Sequence, residues 1–250
     1  MPEDSTTLIG VIAVLVLAMS WHEAAHAWVA DRLGDPTARQ LGRVTLNPLK
    51  HLDLWLSLVL PVMLFMATGF AFGGAKPVPV NPGNFPPKRR ARDFMLVALA
   101  GPGSNLLMAA LWGLAFVAAA WLGAVDGGPA IVNPYRPESS VAPLPGLDPS
   151  SASWIESWAF LGVFINLLLA LFNMFPIPPL DGSRVIGWLL PRSLQARWYG
   201  LDRLGFLVVI AFFLLLDGFQ YVQMVLEPLF GVYDRAIDAL IAIDPLGTFA

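Results

Sequence analysis

The chain has 250 residues, of which 56% are apolar and 13% charged, and its mean hydropathy is +0.65. Soluble globular domains are about 45–50% apolar and about 25% charged, so this composition excludes an ordinary soluble domain and a disordered chain and points to a polytopic membrane protein. A net charge of -3 and the absence of cysteine exclude a basic surface that tracks nucleic acid, a disulfide framework and thiolate metal ligands.

In chain order, Leu8–Ala30 is the first candidate span, opening on the apolar run Leu8–Met19. Glu3 and Asp4 stand where a signal peptide carries Lys or Arg, and no small-residue cleavage site follows, so a retained span is expected. Later candidates are Leu54–Phe72, Phe94–Leu122, Trp154–Phe175 and Leu201–Leu216, with a further helix, Phe219–Leu229, continuing the last. Asp126–Ser153 is rich in Pro, Gly and Ser and reads as an irregular loop outside the bilayer. The expected fold is an all-α polytopic membrane protein with about five to six transmembrane or re-entrant helices and a small β-hairpin or sheet on the cytoplasmic side. Residues 1–250 are expected to form one membrane-embedded domain, with its core at about 8–190 and C-terminal helices at 201–250.

Charge supplies an orientation. Of the 15 Lys and Arg residues, nine (Arg32, Arg39, Arg43, Lys50, Lys76, Lys88, Arg89, Arg90 and Arg92) fall between positions 32 and 92, whereas Asp126–Ser153 holds only Arg136. Residues 31–93 should therefore face the cytoplasm and 126–153 the outside, with the amino terminus outside. Positive charge flanks Leu54–Phe72 on both sides, and Pro61, Gly69, Gly73 and Gly74 interrupt it, so a re-entrant or laterally packed hairpin is expected there. Phe85–Arg92 (FPPKRRAR) is a basic juxtamembrane segment suited to anionic lipid.

Two short cytoplasmic pieces, Gly42–Leu46 (GRVTL) and Lys76–Val80 (KPVPV), read as strands. Pro77 and Pro79 remove alternate N–H groups from one edge of the second, and the donors of Val78 and Val80 point to the other, so it must be an edge strand. It serves either as a structural hairpin or as an edge that captures an extended peptide by strand addition.

The chemistry centres on His22-Glu23-Ala24-Ala25-His26 at the cytoplasmic end of the first span. Histidines at i and i+4 share a helical face and can bind one zinc ion, while Glu23, offset by about 100°, can reach a water on that metal. Three ionisable groups inside a membrane helix are costly, which favours a functional reading. A hydrolytic zinc needs a third protein ligand, and the candidates are His51 and carboxylates near the membrane. Asp181 is the best placed, because Pro176, Pro178 and Pro179 end the preceding helix and leave unwound backbone, tolerated at membrane depth only where it is buried in protein or lines a cavity. Asp53, Glu156 and Asp217 are weaker, and His51 and Asp53 are read as structural or gating. Asn105, and Asn166 with Asn173 seven residues on, serve either interhelical hydrogen bonds or donors to a substrate backbone or developing oxyanion.

HEAAH in a membrane helix, AGPGSN at Ala100–Asn105 and NMFPIPPLDG at Asn173–Gly182 resemble the site-2 protease family of intramembrane zinc metalloproteases. GRVTLNPLKHLD (Gly42–Asp53) and AKPVPVNP (Ala75–Pro82) are similar to its compact bacterial members, which lack PDZ and CBS modules. The resemblance covers about Trp21–Arg184 and fades beyond. It implies one Zn2+ per chain held by His22, His26 and Asp181, Glu23 as general base, and Asn105 as the favoured oxyanion donor. It also implies single-pass transmembrane or signal-peptide-like substrates, a lipid bilayer, no nucleic acid, a regulatory membrane partner, and a bacterial inner membrane with the site near the cytoplasmic face. The alternatives are an inactive adaptor on the same scaffold, a membrane HEXXH protease of another family and a zinc transporter.

Overall fold

The computed structural model describes residues 2–53, 55, 59, 62–63, 75–122, 153–204 and 218–243. Most of Leu54–Phe72, nearly all of Asp126–Ser153, positions 205–216 of Leu201–Leu216, and Asp217 lie outside the described residues. Two long helices dominate, α1 (Pro2–Leu33) and α3 (Arg90–Trp121), separated by the single-turn α2 (Thr37–Gln40). They are followed by α4 (Ser153–Asn173), the short α5 (Gly182–Leu189) and α6 (Arg192–Gly200), and α7 (Gly218–Ile241). Among the described residues, Ile9–Leu33 and Arg90–Trp121 are long and apolar enough to cross a membrane, and Trp158–Asn173 is a shorter apolar helix. The candidate span Phe219–Leu229 runs on to Ile241, through Pro228.

Helix α3 is the hub, packing against α1, α4, α5 and α7. Its buried positions Ala98, Gly101, Asn105, Ala109, Gly113, Phe116 and Ala120 recur every three or four residues, the period of one helical face. Most are small, and small interface residues let helix backbones approach closely where lipid offers no hydrophobic drive. On α1, Val14, Leu15, Ala18 and Met19 pack against Leu161, Ile165 and Leu169 of α4. Further along, Ala109 of α3, Val163 and Leu167 of α4, and Leu226 and Phe230 of α7 form a second cluster.

The expected hairpin is not present: neither Gly42–Leu46 nor Lys76–Val80 is a strand, and no strand occurs among the described residues. The donors explain why. Pro77 and Pro79 have none, the Lys76 N–H donates to His51 O at 2.8 Å, and the Val78 N–H donates to the Glu23 carboxylate at 2.7 Å. Two of the three N–H groups of this stretch are thus engaged elsewhere, which leaves too few donors for a ladder. Side chains join the segments instead: the Arg43 guanidinium donates to Lys76 O at 2.6 Å, and His51 Nε2 donates to Thr45 O at 2.8 Å. His51 is 1% exposed and ties these two segments together.

A buried carboxylate holds the second segment to the end of α1. Gly34 takes φ 111°, and its N–H and that of Asp35 bond back to Asp31 O and Ala30 O, closing the helix with a Schellman motif. The turn delivers Asp35, which is fully buried, to the N–H and hydroxyl of Thr37, the N–H of Asn81 (2.6 Å) and the Asn84 amide (2.7 Å). Burial pushes the Asp35 carboxyl up, but bonds from Thr37, Asn84 and Asn81 outweigh it and hold the group below the usual carboxylate range. A carboxylate depressed in the folded state contributes stability above its unfolded pKa of about 3.9, and that contribution disappears as pH falls through the folded value. Asp35→Asn is therefore expected to cost about 2 kcal/mol at neutral pH. Thermal unfolding in detergent should show the gap to wild type narrowing below about pH 4.

Candidate metal centre

His22 and His26 lie one turn apart on α1, with ring centroids 4.5 Å apart and planes at 84°. Each ring is held at Nδ1. His26 Nδ1–H donates to Val97 O of α3 at 2.7 Å, and His22 Nδ1 lies 2.6 Å from Asn105 Oδ1. Pro102 supplies no N–H to Ala98 O, so the hydrogen-bond ladder of α3 lacks one rung in the turn facing these rings. With Nδ1 bonded to an acceptor, each neutral imidazole presents the Nε2 lone pair.

Asp181 arrives from the other side. Helix α4 stops at Asn173, and Met174–Asp181 is non-helical, carrying Pro176, Pro178 and Pro179, with short bonds such as Leu180 N–H to Ile177 O at 2.8 Å. Gly182 makes the return tight enough: a Cβ there would stand 2.1 Å from Met174 O. Asp181 Oδ2 then lies 3.1 Å from His22 Nε2 and 3.3 Å from His26 Nε2. Ligands about 2.0–2.1 Å from a tetrahedral zinc are separated by about 3.3 Å, so these spacings suit one ion. His22, His26 and Asp181 are the three metal-type side chains brought together among the described residues, with ligand atoms within 4.8 Å of one another.

Space for the ion is provided by α3. A Cβ on Gly101 would lie 2.4 Å from His26 Nε2 and 2.5 Å from His22 Nε2, in the volume a metal and a substrate atom would need. The donor set and this gap both fit zinc. Gly101 reads in the sequence only as a small residue allowing close helix approach; the GPG run around it is the one signal that could have marked it.

The remaining expected residues separate into groups. Glu23 borders the centre, and its Oε2 accepts from Val78 N–H, so Val78 faces the glutamate and is not part of a sheet. Val80 packs its side chain against Ala30, Phe85 and Val97. Asn105 and Asn166 are bonded to one another at 2.9 Å, while the Asn173 amide donates to Leu169 O in its own helix. Asp53 accepts from Trp55 N–H, and neither it nor His51 joins the ligand group. The Glu156 side chain and Asp217 lie outside the described residues. Val97 O, held at a separation of 71 residues from His26, is a participant no sequence pattern announces.

An HEXXH helix whose two imidazoles meet a carboxylate from an unwound loop, on a scaffold of apolar helices, defines a zinc metallopeptidase of the membrane type. Comparison with known proteins agrees. The description of Peptidase family M50 matches residues 10–216, and the chain belongs to that family, the site-2 proteases. It is 36% identical over 203 residues to a Bacillus subtilis protein named "Putative zinc metalloprotease YwhC", covering 81% of this chain and 79% of that one. It is 32% identical over 201 residues to "Putative zinc metalloprotease Rip2" of Mycolicibacterium smegmatis, covering 80% of this chain and 64% of the relative. The Mycobacterium tuberculosis protein of that name is 32% identical over 172 residues, 69% of this chain and 54% of the relative. No solved structure gives a significant match.

Adding one methyl group at Gly101 should expel the metal. Elemental analysis of purified protein is expected to show zinc lost from Gly101→Ala and retained by Gly103→Ala, where an added Cβ meets nothing within 4 Å.

Proposed function

We propose that this zinc metalloprotease hydrolyses peptide bonds within or beside the bilayer, in single-pass transmembrane or signal-peptide-like substrates. In this reading His22, His26 and Asp181 hold one zinc ion and Glu23 is the general base. The observation that carries it is the meeting of two histidine Nε2 atoms and Asp181 Oδ2 at the gap left by Gly101. A zinc ion held by these three residues would supply a water of lowered pKa, about 7, and a Lewis acid for the scissile carbonyl.

The protein's own groups do the rest. Glu23 takes the proton from the attacking water and passes it to the leaving amine. The Val78 N–H on Oε2 fixes the carboxylate's rotation and leaves Oε1 for the water. A substrate helix must unwind to expose its carbonyls, and Ala75–Val80 lies beside Glu23 where such a segment would pass.

Membrane embedding is supported by the outer face of α3, where Leu106, Leu107, Leu111 and Leu114 are each about half exposed. The basic residues between positions 32 and 92 favour a cytoplasmic-side centre, and the bacterial origin of the named relatives favours a bacterial inner membrane. The intact ligand and base set disfavours an inactive adaptor, and convergence of the ligands at one level disfavours a transporter.

The test is cleavage of a tagged single-span protein in detergent with added zinc. Glu23→Gln should keep its zinc and lose roughly 10²–10⁴ of the rate. Equal cleavage by both forms would overturn the base assignment. Asp181→Ala should lose the zinc; full retention would point to another HEXXH family.

Val78 gives a finer check. Pro79 already confines the Val78 backbone, so Val78→Pro acts at the N–H: it removes the donor and sets a ring methylene against Oε2, which turns the Glu23 carboxylate away. Its kcat should fall about 10-fold or more at unchanged zinc content and KM, while Val78→Ala, which keeps the N–H, stays near wild type.

A further inference from the structure

We infer that Asn166 and Asn105 form a directional hydrogen-bond relay, starting at the Gly162 carbonyl, that fixes His22 in the Nδ1–H form and presents its Nε2 to the metal. This rests on the reading of His22 as a ligand. It makes Asn105 a positioning residue, not a donor to substrate.

The direction follows from donors and acceptors alone. Gly162 O can only accept, and the Asn166 amide nitrogen donates to it at 2.7 Å. The other end of that carboxamide, Oδ1, therefore faces α3, and it can only accept. Asn105 must meet it with its nitrogen, at 2.9 Å, and the same nitrogen lies 3.3 Å from Ala18 O, a second obligate acceptor. Asn105 is thus turned with Oδ1 toward His22, 2.6 Å from Nδ1, which must carry the proton. Turning Asn166 over would set its nitrogen against that of Asn105 and its oxygen against Gly162 O, and turning Asn105 over would set its oxygen against Asn166 Oδ1 and Ala18 O, so each change leaves buried groups unpaired.

Burial closes the other options. Asn105 is 0% exposed, Asn166 1% and His22 7%. Both hydrogens of the Asn105 amide are occupied, so none remains for a substrate carbonyl or an oxyanion. The relay crosses three helices, from α4 through α3 to α1. The two ligands differ in this respect: His26 is set by the backbone carbonyl of Val97, which no substitution removes, whereas His22 depends on two side chains. A carboxamide on a ligand's far nitrogen works as outer-shell partners of metal histidines do, with losses of roughly 10–100-fold in metal affinity on removal.

Zinc affinity, measured by chelator competition on the full-length protein in detergent, separates the roles. Asn105→Leu should weaken zinc roughly 10–100-fold. Asn105→Asp keeps an acceptor for Nδ1–H and should hold zinc more tightly than Asn105→Leu does. An oxyanion donor would behave differently: zinc affinity would stay at the wild-type value in Asn105→Leu while kcat fell by roughly 10²–10³. That result overturns the relay. If Asn105→Leu does not fold, Asn166→Leu carries the test, because it removes the start of the relay without touching His22. Its zinc affinity should fall several-fold at unchanged circular dichroism, and a wild-type value overturns the inference. His22→Ala and Asp181→Ala report on the ligand set itself. Zinc loss in both beside wild-type affinity in Asn105→Leu rejects the relay alone, while zinc retained in both rejects the ligand assignment.

Discussion

The centre depends on how closely α1 and α3 approach, and Gly101 sets that distance. A side chain at 101 would occupy the volume between the two imidazoles. Because it is absent, Val97 O and Asn105 reach the two rings at 2.7 and 2.6 Å. Those bonds have a second effect. Helices in lipid gain little from apolar burial against one another, so packing and interhelical hydrogen bonds hold them together. The contacts that aim the histidines are thus also contacts that hold α1 on α3, and orientation of the ligands is inseparable from helix association.

The carboxylate depends on a different device. Gly182 lets the loop fold back on Met174 O, and the residues after it are clamped from two sides. Arg184 pairs with Asp202 at 2.9 Å and lies over the rings of Phe94 (5.1 Å) and Tyr199 (5.4 Å), while Trp198 Nε1 donates to Ser183 O at 2.8 Å. Phe94 lies near the start of α3, so the helix that carries Gly101 also anchors the chain just beyond Asp181. Both halves of the ligand set are therefore referred to one rigid element, which is how groups 159 residues apart come within 3.1 Å.

What the sequence disclosed follows the range of the interactions. His22 and His26 were legible because helical periodicity alone puts i and i+4 on one face. Asp181 was legible because three prolines must end a helix, and apolar context limits what unwound backbone can do there. The hairpin failed for a reason that was half visible. The sequence shows that Pro77 and Pro79 lack donors, but not that a side chain 55 residues earlier takes the Val78 N–H. Asn105 was legible as polar and buried, and its partners were not, since His22 and Asn166 are 83 and 61 residues away. Gly101 carries no side chain to read. Its importance is the space it leaves, which exists only once two helices are side by side.

The two faces of the centre consequently answer to different parts of the chain. The histidines are held by helix backbone and by buried, hydrogen-bonded amides, and Val97 O, Gly162 O and Ala18 O are positions no side-chain change can remove. Base-side geometry is held by one N–H from a non-helical segment, and that segment is placed by charged and polar side chains: Asp35 on Asn81 and Asn84, and Arg43 on Lys76 O. Helix-held bonds open only with the bundle, whereas irregular segments open at lower free energy. On the proposed reading the two histidines are therefore preorganised ahead of any substrate, and the orientation of Glu23 is the adjustable element. On that reading, anything that moved Ala75–Val80 would reach Glu23 through the Val78 N–H before it disturbed the helix-held histidines.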